Sequence, residues 1–372
     1  MDVKGTVREI AGALGFQRVV IGGLDPMVEE RAEFERWLAR GYAAGMDYLE
    51  RNPHFRTSPQ LLFPGARSAV VVSASYYTDA PESPGPGFGR VARYAVGLDY
   101  HAVLRAKLRE LKARLEEALG RPLTGKPYTD DVALYEQAFS KRAGLGFAGK
   151  NTLIIGPRLM GSYFFVAELF LDLEIDPDEP YRGTCGRCFR CGDICPTGAI
   201  VEAGEIDAGL CISYLTIENK EGIPLALRGK MGDWLFGCDL CQEVCPYNQR
   251  PPATTWAEFH PESGAGHHVD LLELLTVGDE TEFRRRYERS PLRRPKRRGL
   301  LRNALVVLGN QRMERAVEPL SAFAGQEPDA MLREHAAWAL KQVGTRAAHR
   351  ALAQIHEREP DEAVRLAIAA YL

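Results

Sequence analysis

Cys185-Gly-Arg-Cys188-Phe-Arg-Cys191-Gly-Asp-Ile-Cys195-Pro196 is the stretch on which the reading of this chain turns. Three cysteines follow one another at two-residue spacings, and a fourth comes three residues later, directly before proline. Such short spacings let successive thiolates wrap one face of an iron–sulfide cube, while the remaining ligand must arrive from elsewhere in the chain. The Cys-Pro step turns the backbone out of the loop. Four-cysteine zinc sites rarely combine three cysteines at these spacings with Cys-Pro. The spacing also differs from that of radical S-adenosylmethionine enzymes.

A second set stands downstream: Cys238-x-x-Cys241-x-x-x-Cys245-Pro246, with Cys211 well upstream as its first member. In two-cluster ferredoxins the fourth cysteine of such a run serves the other cluster. Exchanging fourth ligands assigns Cys185, Cys188, Cys191 and Cys245 to one [4Fe–4S] cluster, and Cys195, Cys211, Cys238 and Cys241 to the other. All eight cysteines lie between Cys185 and Cys245. A secreted disulfide framework would not crowd into one part of a long chain, so the pattern reads as metal ligation in a reducing compartment.

At 372 residues the chain is long for one core, and two or three domains are expected. Its charged fraction of 26% and apolar fraction of 45% are ordinary for a soluble protein. The net charge of −3 creates no global demand for nucleic acid, so any such partner must be met by a local patch. The N-terminal residues include Asp2, Lys4, Arg8 and Glu9 and hold no apolar stretch of signal-peptide length. The most apolar stretch, Ser162 to Leu173, is too short and too interrupted to span a bilayer. A cytoplasmic monomer with no membrane partner is expected.

Outward from the cysteines, residues 1–180 read as a mixed α/β domain. Strand-like runs occur at Arg18–Gly22, Ala69–Tyr77, Thr152–Ile155 and Ser162–Leu171, and helical patterns at Met27–Gly41, Tyr100–Leu119 and Asp131–Ala143. Pro81–Gly89 reads as a loop at the rim of a site. The stretch from Pro251 to His268 reads as a linker, and everything from about Asp270 onward as helical. Leu301-Arg-Asn-Ala-Leu-Val-Val-Leu-Gly309 resembles Leu332-Arg-Glu-His-Ala-Ala-Trp-Ala-Leu340, and Val364-Arg-Leu-Ala-Ile-Ala-Ala370 follows. A repeat of that spacing suits stacked helix pairs of the HEAT type better than a plain bundle.

Gly144-Leu-Gly146-Phe-Ala-Gly149 matches the dinucleotide fingerprint, but a helical pattern precedes it and a strand follows, the reverse of the required order. With Lys150 it also approaches a phosphate-binding loop, yet Asn151 stands where Ser or Thr should meet magnesium. The glycines read instead as a helix C-cap at Gly144 and a turn into a strand, where backbone can come close to a bulky cofactor.

The stretch Thr129-Asp-Asp-Val-Ala-Leu-Tyr-Glu-Gln-Ala-Phe-Ser-Lys-Arg-Ala-Gly-Leu-Gly-Phe-Ala-Gly-Lys-Asn-Thr152 closely resembles the signature of the epoxyqueuosine reductase family. Tyr48-Leu-Glu-Arg51, Leu62-Phe-Pro-Gly-Ala-Arg67, Arg93-Tyr-Ala-Val-Gly-Leu-Asp-Tyr-His101, Ser290-Pro-Leu-Arg-Arg294 and Gly299-Leu-Leu-Arg-Asn303 are similar to the same family. The resemblance spans nearly the whole chain. It implies an enzyme that reduces the epoxide of epoxyqueuosine at the wobble position of tRNA to give queuosine, using cobalamin, two [4Fe–4S] clusters and an external electron donor. It implies three parts: an α/β (α+β) cobalamin-binding catalytic domain with a nitroreductase-like core over 1–180, a ferredoxin-like two-cluster module over 181–252, and a HEAT-like helical tRNA-binding domain over 270–372. Two departures stand out. The family often has Asp-Thr/Ser-Ala-Pro where this chain has Asp130-Asp-Val-Ala133, and Phe147-Ala148 replaces a commoner Trp-Ile or Trp-Val. The Asp-x-His-x-x-Gly motif of cobalamin mutases is absent, which fits a cobalt without a histidine from that motif.

Opening and deoxygenating an epoxide takes two electrons and a proton donor; the cofactors carry the electron chemistry and the protein positions and protonates. The resemblance makes Asp130 the acid, competing with an N-cap role for the following helix. Arg56, Tyr94, Asp130, Lys150, Asn151 and Thr152 are the expected corrin contacts, with Ser213 and Tyr214 facing the cobalt side.

Between Arg284 and Arg298 nine of fifteen residues are Arg or Lys, opposed only by Glu288. Arg284, Arg285, Arg293, Arg294, Lys296, Arg297 and Arg298 are the expected tRNA contacts, because a solvated helix face normally mixes signs and this density suits phosphates. A tRNA stem offers shape and phosphate rather than readable sequence, and a base taken out of the stack reaches the pocket. The competing expectation is a reductive dehalogenase-like cobalamin enzyme acting on a small molecule, which needs neither basic segment nor helical repeat. A plain electron carrier would leave the first domain unexplained.

Overall fold

Every residue of Ser68–Ser75 is buried, and this apolar run forms one of two central strands in a four-stranded sheet. The computed structural model describes residues 2–372 and leaves Met1 outside them. The sheet runs Arg18–Gly22, Ser68–Ser75, Phe164–Leu171, Gly125–Tyr128, with every neighbouring pair antiparallel. Buried strands this apolar need cover on both faces. Tyr100–Leu119 buries Leu104, Leu108, Leu111 and Leu115, one stripe at helical spacing. Asp99 caps its start by accepting the His101 N–H, and Gly120 ends it at a φ of +64°.

The expected strands and the long helices are all present. The helix expected from Asp131 begins only at Glu136 and ends at Arg142. Asp130 sits at a φ of +51°, and the Asp131 carboxylate accepts the Thr129 N–H, so residues 129–135 form a loop instead. The edge strand Gly125–Tyr128 escaped the sequence reading because it contains Gly and Pro, which a sheet tolerates at its margin. The expected linker after Pro252 is no slack segment: Trp256 and Phe259 are buried and stack on each other, with ring centroids 5.4 Å apart. Gly144 does end a helix at positive φ, as its C-cap reading required, and a Cβ there would strike the Glu179 carbonyl.

The described residues divide into two units. One takes the chain up to Asp79 with Gly97–Gly209 and Asp239–Ser263; the other takes Ala80–Val96, Leu210–Cys238 and Gly264–Leu372. This differs from three consecutive blocks over 1–180, 181–252 and 270–372. The reason is a three-stranded sheet in the second unit. Phe88–Val91, from the region expected to be a loop, pairs parallel with Trp234–Phe236 and antiparallel with His268–Asp270. Two short excursions of the chain are thereby built into the helical unit.

The helical part consists of Lys296–Gln311, Val317–Gln326, Ala330–Val343, Arg346–Arg358 and Glu362–Ala369. Lys296–Gln311 is buried without a break from Gly299 to Gly309. Arg302, fully buried there, donates to the carbonyls of Leu215, Asn219 and Glu221, and Asn303 donates to those of Thr216 and Leu235. The Gly299-Leu-Leu-Arg-Asn303 motif is therefore structural: it satisfies the end of the helix Ile212–Ile217, which begins beside Cys211. Among the described residues no helix is long and apolar enough to cross a membrane.

Candidate functional site

Asp130 stands on the loop between the edge strand Gly125–Tyr128 and the short helix Glu136–Arg142. Its carboxylate is solvent-facing and accepts a 2.7 Å hydrogen bond from the Tyr100 hydroxyl. Tyr100 is held in turn by stacking on Phe165, centroids 4.4 Å apart, and on His101 at 4.1 Å. The next residue, Asp131, is engaged by Arg105. Thr129 is buried, with its hydroxyl donating to the Val166 carbonyl at 3.2 Å. The helix start has no side-chain cap, so Asp130 is not spent as an N-cap.

Beneath this loop lie two glutamates that sequence reasoning missed. Glu136 accepts the backbone N–H of Asp130 at 3.0 Å. Glu168 comes from the central strand, opposite Val71 on one side and Tyr128 on the other, and has no exposed surface. Burial and then the Asp130 charge push the Glu136 carboxyl up to about 8; burial and Glu136 push Glu168 well above the usual carboxylate range. The sequence did hold a signal: Glu168 is the one charge inside the apolar run Phe164–Leu171.

Of the expected corrin contacts, Arg56, Lys150, Asn151 and Thr152 share the first unit with Asp130, and Tyr94, Ser213 and Tyr214 belong to the second. Arg56 donates to the Tyr48 carbonyl at 2.9 Å, lies over the Tyr48 ring, and offers its own carbonyl to the Tyr135 N–H at the end of the Asp130 loop. Burial lowers its guanidinium pKa, and its Nε is buried with no partner. The side-chain oxygens of Gln60, Gln137 and Ser140 are orphaned in the same way. Lys150 donates to the Gly186 carbonyl at 2.9 Å, which ties the glycine turn to the first cysteine loop. Asn151 is buried, and Thr152 adopts a φ of +67°.

All eight cysteines are half-buried. Cys185, Cys188, Cys191, Cys195, Cys241 and Cys245 lie in the first unit, Cys211 and Cys238 in the second. Burial pushes the Cys191 and Cys245 thiols up, and each is raised further by Cys185. A cationic iron–sulfide core relieves both costs, so this donor set fits a cluster. Cys195 differs: burial raises its thiol, but hydrogen bonds from Thr197 and from the N–H groups of Ala199, Thr197 and Ile200 outweigh that and bring it below the ordinary value. The Cys245-Pro246 arm is anchored by Asn248, which accepts the Ser162 N–H at 2.7 Å and donates to the Gln242 carbonyl at 2.9 Å.

The structure divides the basic run. Arg297 is half-buried, bonded to Glu327 at 2.7 Å and to the Val277 carbonyl. Arg298 holds Asp329 and the Lys220 carbonyl, and Arg294 holds Glu218. These three hold neighbouring helices and loops together, a use that their sequence density concealed. Arg284, Arg285, Arg289, Arg293 and Lys296 are exposed, and only Arg284 among them meets a carboxylate, Glu280 on its own helix.

The model of the family described as epoxyqueuosine reductase QueG, DUF1730, matches residues 56–131, the segment that ends in the Asp130 loop. A 4Fe-4S double cluster binding domain matches residues 184–248 and HEAT repeats match 292–372. The epoxyqueuosine reductase of Pseudomonas aeruginosa is 40% identical over 347 residues, 91% of this chain and 94% of that one. The chain belongs to the epoxyqueuosine reductase family. Among solved structures, an epoxyqueuosine reductase with an epoxyqueuosine-modified tRNA-Tyr stem loop superposes with a TM-score of 0.90 at 31% identity, covering 99% of this chain and 97% of that chain. A Bacillus subtilis epoxyqueuosine reductase whose catalytic aspartate loop is swung out of the active site gives 0.89 at 30% identity, with the same coverage. As a family member the chain is an oxidoreductase, a mixed α/β protein with an iron–sulfur cluster domain and HEAT-like repeats.

Proposed function

We infer that this chain reduces the epoxide of epoxyqueuosine in tRNA to give queuosine. The observation that carries the reading is a family match over nine-tenths of the chain that includes the Asp130 loop and the doubled cysteine run. The substrate follows from the relative solved with an epoxyqueuosine-modified stem loop. The small-molecule alternative is disfavoured, because the HEAT repeats have no work in it.

Removing an epoxide oxygen as water takes two electrons and two protons. Cys185, Cys188, Cys191 and Cys245 would hold one [4Fe–4S] cluster and Cys195, Cys211, Cys238 and Cys241 the other, and the two would supply one-electron transfer from an external donor. Cobalamin, when bound, would supply a low-valent cobalt able to act as a nucleophile or one-electron donor. A nitroreductase-like core, a role for Arg56, Lys150, Asn151 and Thr152 on the corrin rim, and Tyr94, Ser213 and Tyr214 toward it complete the reading. The orphaned Arg56 Nε and the unpartnered oxygens of Gln60, Gln137 and Ser140 support it, since an amide-rich corrin offers both donors and acceptors.

Asp130 gives one proton to the departing oxygen, and solvent supplies the second. Tyr100 orients its carboxyl by donating to it. The Asp130 loop is read as the movable element seen swung out in the Bacillus subtilis relative.

Anaerobic incubation with epoxyqueuosine-containing tRNA, cobalamin and a strong reductant, followed by nucleoside analysis, tests the reading. Queuosine should form only when all are present; cluster-loaded protein that leaves the epoxide intact overturns it. The same preparation should contain about eight iron and matching sulfide per chain. Zinc without sulfide would remove the cluster assignment.

A further inference from the structure

The Asp130 loop is tied down by a carboxyl that has every electrostatic reason to be elsewhere. Glu136 turns one oxygen to the Asp130 N–H at 3.0 Å. Around it stand Asp130 and Asp131 on the same loop and Glu168 on the central strand. The cation and the hydroxyl supplied by the helix Tyr100–Leu119, from Arg105 and Tyr100, are engaged with Asp131 and Asp130 respectively. Glu168 is wholly enclosed, and neither of its oxygens meets a hydrogen-bond donor; what it faces is the Glu136 carboxyl. Two carboxylates in contact inside a protein repel unless one carries a proton, which converts the contact into a hydrogen bond.

We propose that Glu136 is a positioning residue that latches the Asp130 loop in its working conformation, and that the latch holds only while Glu136 and Glu168 share a proton. The backbone of Asp130 needs such a restraint. A non-glycine residue at a φ of +51° persists only where its surroundings over-determine it. With the shared proton, Glu136 stays inside and accepts the Asp130 N–H. Without it, two adjoining negative charges push Glu136 toward solvent, which it already partly reaches, and the N–H loses its acceptor. Glu136 is thus the face through which the pair exchanges its proton with solution. The raised affinity of both carboxyls for protons agrees with this. The catalytic consequence rests on Asp130 being the acid; the latch itself does not.

Hydrogen–deuterium exchange of the peptide spanning 129–135, corrected for intrinsic rates, tests the latch in the cluster-loaded protein between pH about 6 and about 9. Wild-type protection should fall about tenfold through the alkaline limb, the loss expected for one N–H left without its acceptor. Glu136→Gln keeps an acceptor oxygen but cannot ionise, so its protection should be flat with pH. Glu168→Gln leaves only one charge in the pair and should also be flat. Glu136→Ala should lie about tenfold below wild type already at the acid end. The alkaline fall of wild-type kcat should disappear in Glu136→Gln, which a merely structural glutamate would not produce. Flat wild-type protection, or an alkaline limb retained in Glu136→Gln, overturns the proposal. If Asp130→Asn proves fully active, the reading of Asp130 as the acid falls, while the exchange measurement still decides the latch.

Discussion

Asp130 combines three features in one residue: an exposed carboxyl, a hydroxyl donor from Tyr100, and a backbone held at positive φ. If that carboxyl is the proton donor, Asp130→Asn should bind tRNA and cobalamin yet lose roughly 10²–10⁴-fold in turnover, the usual worth of a general acid. Single-turnover conversion of epoxyqueuosine-containing tRNA measures it, and a folded variant with full activity would shift the role to another group. Asp130 was accessible to sequence reading only through its family motif, since from the residues alone an N-cap is as good an account. The structure removes that competitor by starting the helix six residues later, at Glu136. Glu136 and Glu168 were not found in advance because the property that matters, two carboxyls facing each other, arises from residues 32 positions apart, one opening a helix and one inside a strand, that meet only in the folded chain.

At the scale of elements, periodicity fixes what is continuous and misses what is borrowed. The helix Tyr100–Leu119 and the two central strands carry long one-phase patterns that no other packing satisfies. The strand Phe88–Val91 has only four residues and owes its existence to partners far along the chain, so its own pattern says nothing. The same limit hid the network between Ile212–Arg228 and the helix Ala330–Val343. There Arg228 grips Glu334 through both oxygens, at 2.9 and 2.7 Å, with His335 at 2.8 Å and the Tyr371 hydroxyl also on that carboxylate. Burial alone would raise the Glu334 pKa, but the bonds from His335 and Arg228 bring it down to about 2. A depressed carboxylate contributes stability that is present above its unfolded value of about 4.3 and is lost as pH falls through the folded one. Chemical denaturation should therefore lose on the order of 3 kcal/mol of stability between those two pH values. Glu334→Gln should start lower at neutral pH and show a shallower acid slope; an unchanged slope would mean that other carboxylates dominate.

On the proposed function the whole molecule must hold a polyanion although its net charge is −3, so the placement of cations matters more than their number. Two kinds of arginine share the run from Arg284 to Arg298. Arg297 is bonded to a carboxylate with only 2% of its side chain exposed, and removing it would strand that charge. Arg285, Arg289 and Lys296 project into solvent toward any phosphate, while Arg284 and Arg293, also exposed, are held by Glu280 and by the Glu288 carbonyl of the same segment. Each phosphate neutralised releases counterions, so tRNA affinity should fall with salt along a log–log line whose slope counts the contacts. Replacing Arg285, Arg289, Arg293 and Lys296 by Ala should weaken tRNA binding and flatten that slope by roughly one per true contact, with thermal stability unchanged. Arg297→Ala should do the opposite, lowering thermal stability by about 3–5 kcal/mol and leaving the slope alone. Filter binding at several salt concentrations, read beside thermal unfolding, separates the two sets. A wild-type slope in the quadruple variant would mean that tRNA is gripped elsewhere and that the exposed cations of this run serve solubility alone.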